Sequence, residues 1–99
     1  MAKYDVYRLR RGDGLVLDCQ ANLLSDLNTR FVVPLLPEPS APRPAARLNP
    51  ALMVGDRRLI MVTQFAATVP RRDLGERVAS LLDQQDAIGN ALDMLISGF

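Results

Sequence analysis

The chain has no histidine, no tryptophan, one cysteine and five aromatic side chains. Without histidine it lacks the commonest general base, the Ser-His and Cys-His nucleophile pairs, and the ligand found in most zinc and iron sites. The single cysteine, Cys19, permits no internal disulfide and fits a reducing cytosol. It sits in an alternating apolar run, which points to a buried, inert thiol. No apolar run approaches the roughly 18 residues of a membrane span. Met1-Ala2-Lys3-Tyr4-Asp5 has no long apolar segment behind it, so neither a signal peptide nor a membrane anchor is expected, and the cytoplasm is the expected location. P-loop, GxGxxG and Cys/His clusters are all missing, so no metal and no cofactor is expected.

What remains, at 99 residues, is the size of one domain (1–99), with a core too small for an elaborate pocket. Charge is unevenly spread. Residues 1–77 hold all twelve Lys and Arg against eight acids, whereas residues 78–99 hold Asp83, Asp86 and Asp93 and no base. The basic excess of the body is too small to argue for nucleic acid by itself, but it admits an acidic partner.

The first two thirds read as short strands. Lys3–Leu9 and Leu15–Cys19 alternate and are joined by Arg10-Arg11-Gly12-Asp13-Gly14, which has the composition of a tight turn. Arg30–Leu36 is a third strand, in which Pro34 favours an edge or a bulge. Ala51–Val54 and Arg58–Thr63 form a second hairpin around Gly55-Asp56, where glycine can supply a positive φ. Between these lies a proline-rich surface loop (37–50). Its prolines at 37, 39, 42 and 44 forbid regular structure and favour polyproline II.

The chain closes on an amphipathic helix from about Asp83 (83–99). Ile88, Ala91, Leu92, Leu95 and Phe99 share one face, Ile96 widens it, and Asp86, Asn90 and Asp93 take the other. Asp83 is the expected N-cap, and Gly89 in mid-helix suggests a close approach by a neighbouring element. The terminal Phe99 is either a core plug or a contact presented to a partner.

Three segments, in order and covering nearly the whole chain, resemble the CcdB toxin family. The first is Val6-Tyr7 with Leu15–Gln20 and Arg30-Phe31-Val32-Val33-Pro34-Leu35. The second is Leu48-Asn49-Pro50 with Met53-Val54-Gly55-Asp56, Met61-Val62-Thr63 and Ala67-Thr68-Val69-Pro70. The third is Leu74-Gly75-Glu76-Arg77-Val78-Ala79 with Ile88, Asn90-Ala91 and the closing Gly98-Phe99. The resemblance implies a mainly β fold with a C-terminal α-helix, a small SH3-like antiparallel barrel or sheet. It also implies a homodimer whose final helices lie near the dyad.

The activity implied is that of the toxin of a type II toxin–antitoxin system. Such a toxin poisons DNA gyrase by binding its A subunit and performs no bond chemistry itself. The target-binding residues it implies are Leu23, Leu24, Asp93, Ile96, Ser97, Gly98 and Phe99, with Ser97 standing where the family has tryptophan. A CcdA-like antitoxin with a disordered acidic segment is the implied neutralising partner. Arg8, Arg10, Arg11, Arg43 and Arg47 lie in or near the loops expected to meet it. DNA would be met only through the antitoxin, in co-repression of the operon.

Two rival readings accompany this one. A MazF-like endoribonuclease of the sister toxin family could work without histidine, using Arg30, Arg57, Arg58 and Thr63. Against it, the chain has no strongly basic stripe and its aromatics are not clustered for base stacking. A non-toxic dimeric homologue acting only with its antitoxin is the third.

Overall fold

The computed structural model describes residues 1–98. Seven antiparallel strands run β1 (Asp5–Leu9), β2 (Leu15–Asp18), β3 (Thr29–Leu36), β4 (Ala51–Val54), β5 (Arg57–Met61), β6 (Ala67–Pro70) and β7 (Leu74–Ser80), followed by helix α1 (Gln85–Ser97). Their order is β4-β5-β3-β2-β1-β7, and β6 also pairs with β3. The sheet curls into a half-barrel, the mainly β architecture with a C-terminal helix that the sequence implies.

Both expected hairpins form around glycines with positive φ, Gly12 at 81° and Gly55 at 62°. In the first, Leu9 N–H donates to the Gly14 carbonyl. β1 starts two residues later than the alternation implies, because Tyr4 takes φ 77° and interrupts the extended backbone.

Pro34 is not on an edge. β3 is central, with β2 on one side and both β6 and β5 on the other. Its first half pairs with β6 (Thr29–Val32) and its end with β5 (Leu35, Leu36). The missing N–H of Pro34 therefore falls in the gap between those two pairings.

Alternation gives the sheet two apolar faces. Val6, Leu17, Val33 and Met61 pack with Ile88 and Ala91 of α1 in the main core. Tyr7, Val16, Val32 and Leu74, with Leu9 and Val69, form a smaller, separate cluster.

The helix begins at Gln85, after a 3-10 turn over Leu82–Gln84. Gln84, not Asp83, occupies the N-cap position, and no side chain caps the helix there. The Gln84 carboxamide is occupied elsewhere: it accepts from Met53 N–H and donates to the Met53 carbonyl, both at 2.9 Å. Gly89 marks no close approach among the described residues, since a Cβ added there would meet none of their atoms within 4 Å. At the other end Gly98 (φ 79°) closes the helix, donating to the Met94 carbonyl.

β6 and β7 are not legible as strands. β6 is four residues ending in Pro70, and the β1–β7 pairing is broken by two register shifts that scramble the alternation. Gly75 is what lets β7 approach, because a Cβ there would lie 2.9 Å from the Arg8 carbonyl oxygen.

Candidate partner-binding site

Residues 19–28 join β2 to β3 and carry the most exposed large apolar side chain of the described residues, Leu23 at 93 %. Leu24 and Leu27 follow at 47 % each. Leu23 gains almost nothing from its own fold and Leu24 and Leu27 are only half covered, and such groups mark contact sites when they cluster.

The loop that displays them is braced from below. Asp18 closes β2 and Arg30 opens the buried part of β3, both fully buried, with Arg30 Nε and Nη2 donating to one carboxylate oxygen of Asp18. The other Asp18 oxygen accepts Gln20 N–H at 3.0 Å. Gln20 in turn accepts from Phe31 N–H and donates to the Leu24 carbonyl, both at 2.9 Å. Outside, Lys3 N–H donates to the Asn22 side chain, and Arg71 Nη1 to the Ser25 carbonyl. A buried ion pair thus fixes Gln20, and Gln20 fixes the turn that carries Leu23-Leu24.

This bracing is not readable as function in the sequence. Asp18 ends one apolar run and Arg30 begins another, and a charge at each boundary reads as surface. The signal available was that both fall on the same pleat face as buried Tyr7 and Val16.

The second part of the expected site lies on α1. Leu92 is half-buried, Leu95 is 41 % exposed and Ile96 75 %, so the apolar stripe runs out of the core as the helix ends. Asp93, Ser97 and Gly98 are exposed as well, while Phe99 lies outside the described residues. α1 buries Ile88 and Ala91 in the main core and also lies against the 3-10 turns Thr63–Phe65 and Leu82–Gln84. Those turns add Phe65 (51 % exposed) and Leu82 to the exposed apolar surface beside the helix, neither of which the sequence singles out.

The arginines read as an antitoxin contact divide into groups. All five are exposed. Arg10 and Arg11 line a cavity of about 600 Å³ with Leu9, Val69, Arg72 and Asp73. Arg43 and Arg47 belong to the proline-rich loop instead. That loop has one 3-10 turn (Glu38–Ser40) and is pinned by Glu38 to Arg58 at 2.9 Å. Asn49 holds its far end, accepting from Ala45 N–H and donating to the Met61 carbonyl and the Gln64 side chain.

The four residues of the ribonuclease reading are not brought together on a surface. Arg30 is committed to Asp18 in the interior. Thr63 is fully buried, its hydroxyl donating to the Leu48 carbonyl. Arg58 is tied to Glu38, and only Arg57 and Arg58 are exposed. Two of the four cannot touch a phosphodiester.

Two groups have shifted acidities. Burial, the charge of Asp5 and then that of Asp18 raise the Tyr7 phenol above its ordinary value. Burial, and then the charge of Asp18, pushes the Cys19 thiol up to about 12. Cys19 is thus the inert core thiol expected. No helix of the described residues is long and apolar enough to cross a membrane.

A sequence model of the family described as CcdB protein matches residues 3–98. Among solved structures, the fold is similar to a mycobacterial endoribonuclease in complex with its cognate antitoxin. That match has a TM-score of 0.79 at 17 % identity and covers 95 % of this chain and 92 % of the other. A second mycobacterial endoribonuclease matches with a TM-score of 0.77 at 16 % identity, over 95 % and 88 % of the two chains.

Proposed function

The chain belongs to the CcdB protein family of toxin–antitoxin toxins, and on that premise we propose that it acts by binding the A subunit of DNA gyrase, without bond chemistry of its own. The observation that carries this reading is the display of Leu23, almost wholly exposed on a turn held rigid by Gln20 and the buried Asp18–Arg30 pair. Exposed apolar anchors on a braced scaffold suit a protein partner, which supplies the burial that the fold does not. Leu24, with Asp93, Ile96 and Ser97 of α1, completes the proposed contact together with Gly98 and Phe99, which follow the helix in the sequence.

A homodimer is part of the proposal. Leu95, Ile96, Leu82 and Phe65 leave apolar area uncovered beside α1, and self-association around a dyad is the commonest way to cover such area. A CcdA-like antitoxin, met by Arg8, Arg10, Arg11, Arg43 and Arg47, is the proposed neutralising partner, with co-repression through it. The protein works in the cytoplasm on this account.

A second reading is favoured by one observation: two proteins of similar fold are endoribonucleases. The burial of Arg30 and Thr63 weighs against it here.

Incubation of the purified protein with gyrase and supercoiled plasmid separates the readings. Linear DNA released by protease treatment, with RNA left intact in a parallel reaction, is the expected result. RNA cleavage with no effect on gyrase would replace this reading with the ribonuclease one.

A further inference from the structure

Met53 is the most exposed of the four methionines. It is 48 % exposed, against 37 % for Met1, while Met61 is fully buried and Met94 half-buried. It lies on β4 between Leu52 and Val54, both members of the main core, so alternation turns its thioether to the opposite face of the sheet. The backbone at this position is held independently. The Gln84 carboxamide bonds both the N–H and the C=O of Met53 at 2.9 Å, so a chemical change at the sulfur leaves the strand edge in place. Cys19, the other oxidisable type of side chain, is buried.

Arg58 stands directly opposite Met53 in the β4–β5 register. Because the Met53 N–H and C=O turn outward to Gln84, this is a non-hydrogen-bonded pair. That is the closer of the two kinds, with Cβ atoms about 4.5–5.5 Å apart or less. A thioether is a weak acceptor, and Arg58 Nη1 donates instead to Glu38 Oε1 at 2.9 Å. Glu38 opens the 3-10 turn Glu38–Ser40 at the start of the proline-rich loop. Both side chains of that ion pair are more than half exposed, so it holds weakly, and a stronger acceptor beside Arg58 competes with it.

We propose that Met53 is a site of reversible oxidation by peroxide, and that its sulfoxide draws Arg58 from Glu38 and loosens the proline-rich loop. The sulfur attacks one oxygen of hydrogen peroxide, an S–O bond forms as the O–O bond breaks, and a proton passes to the departing oxygen to give water. Sulfur loses two electrons and the peroxide gains them. The sulfoxide oxygen carries partial negative charge that the thioether lacks, beside the guanidinium. Two thiols, acting through a methionine sulfoxide reductase, reverse the step; they become a disulfide and the oxygen leaves as water. The link between Met53 and the loop is carried by strand pairing alone, which makes this part of the surface responsive to oxidant without a cysteine.

The test treats the full chain with hydrogen peroxide and follows it by peptide mass spectrometry and amide hydrogen exchange. Added oxygen is expected at Met53 ahead of Met94 and Met61. The Ser40 and Ala41 amides donate to the Pro37 carbonyl within the turn that Glu38 opens. In the Met53 sulfoxide they should exchange about two- to fivefold faster, the factor that loss of an exposed ion pair gives. Reductase treatment should restore the slow rate. Met53→Leu should show no such response to peroxide, and Arg58→Ala should exchange at the faster rate with or without it. Oxygen at Met94 or Met61 first, unchanged exchange in the Met53 sulfoxide, or a peroxide response that survives in Met53→Leu or Arg58→Ala would each overturn the proposal.

Discussion

Arg30 reaches from β3 to the end of β2 and holds Asp18 through Nε at 3.0 Å and through Nη2, with both side chains fully buried. In the β2–β3 register Asp18 stands opposite Val32, so the pair is a diagonal cross-strand contact. Arg30 Nη1, also buried, has no partner among the described residues.

Removing one partner leaves the other as an isolated buried charge, which costs about 3–5 kcal/mol. Arg30→Ala should therefore lose that much in urea unfolding. Replacing both, as Asp18→Leu with Arg30→Met, should cost much less than the single change, because the desolvation of both ions is relieved together. A double variant as unstable as Arg30→Ala would show that the pair matters through shape alone.

Cys19 has its folded acidity pushed up to about 12 from an ordinary value near 9. The folded state thus holds its proton where the unfolded state releases it. The resulting stability is complete below pH ~9 and is lost as pH rises towards 12. Thermal melts from pH 8 upwards should fall, and fall less steeply in Cys19→Val. The native thiol should also resist iodoacetamide until urea exposes it.

The carboxamide of Gln84 covers the outward N–H and C=O of Met53, on the edge strand β4. Gln84→Ala leaves both groups facing solvent and should cost about 1–2 kcal/mol. It should also raise the rate of aggregation on heating, since an uncovered edge is a template for strand pairing. Light scattering alongside the melt checks both. An unchanged aggregation rate would mean that the edge is protected by other means.

The two hairpins, the Val-rich third strand (though not its central place), the proline-rich loop and the final helix were legible because each has a local cause. Gly12 and Gly55 supply the turns, and the 3.6-residue stripe supplies the helix. β6, β7 and the true start of α1 were not. Gly75 belongs to β7 for a reason that lies on β1, and Gln84 caps a strand instead of the helix it precedes. The candidate site was less legible. Leu23 and Leu24 are reached only through the family resemblance, Leu27 is not reached at all, and the Asp18–Arg30 brace exists only through long-range pairing.

The dimer proposal makes its own prediction. Sedimentation equilibrium at micromolar concentration should give twice the chain mass of 10.9 kDa. Leu95→Glu should shift it to the monomer with little change in the melt, because Leu95 is already 41 % exposed within one chain. A wild-type monomer would remove the dimer from the account.

The most direct measurement is calorimetric titration of gyrase A with the wild-type protein and with Leu23→Asp. Leu23 is 93 % exposed, so its replacement should leave the thermal melt unchanged. Burying a leucine contributes about 1.5–3 kcal/mol, so its loss should weaken binding by about tenfold or more, ~1.4 kcal/mol. Saturable binding by wild type, weakened to that degree in the variant, is the predicted result. Equal binding by both proteins, or no binding by wild type, would contradict the claim that the braced leucine turn is the contact with gyrase.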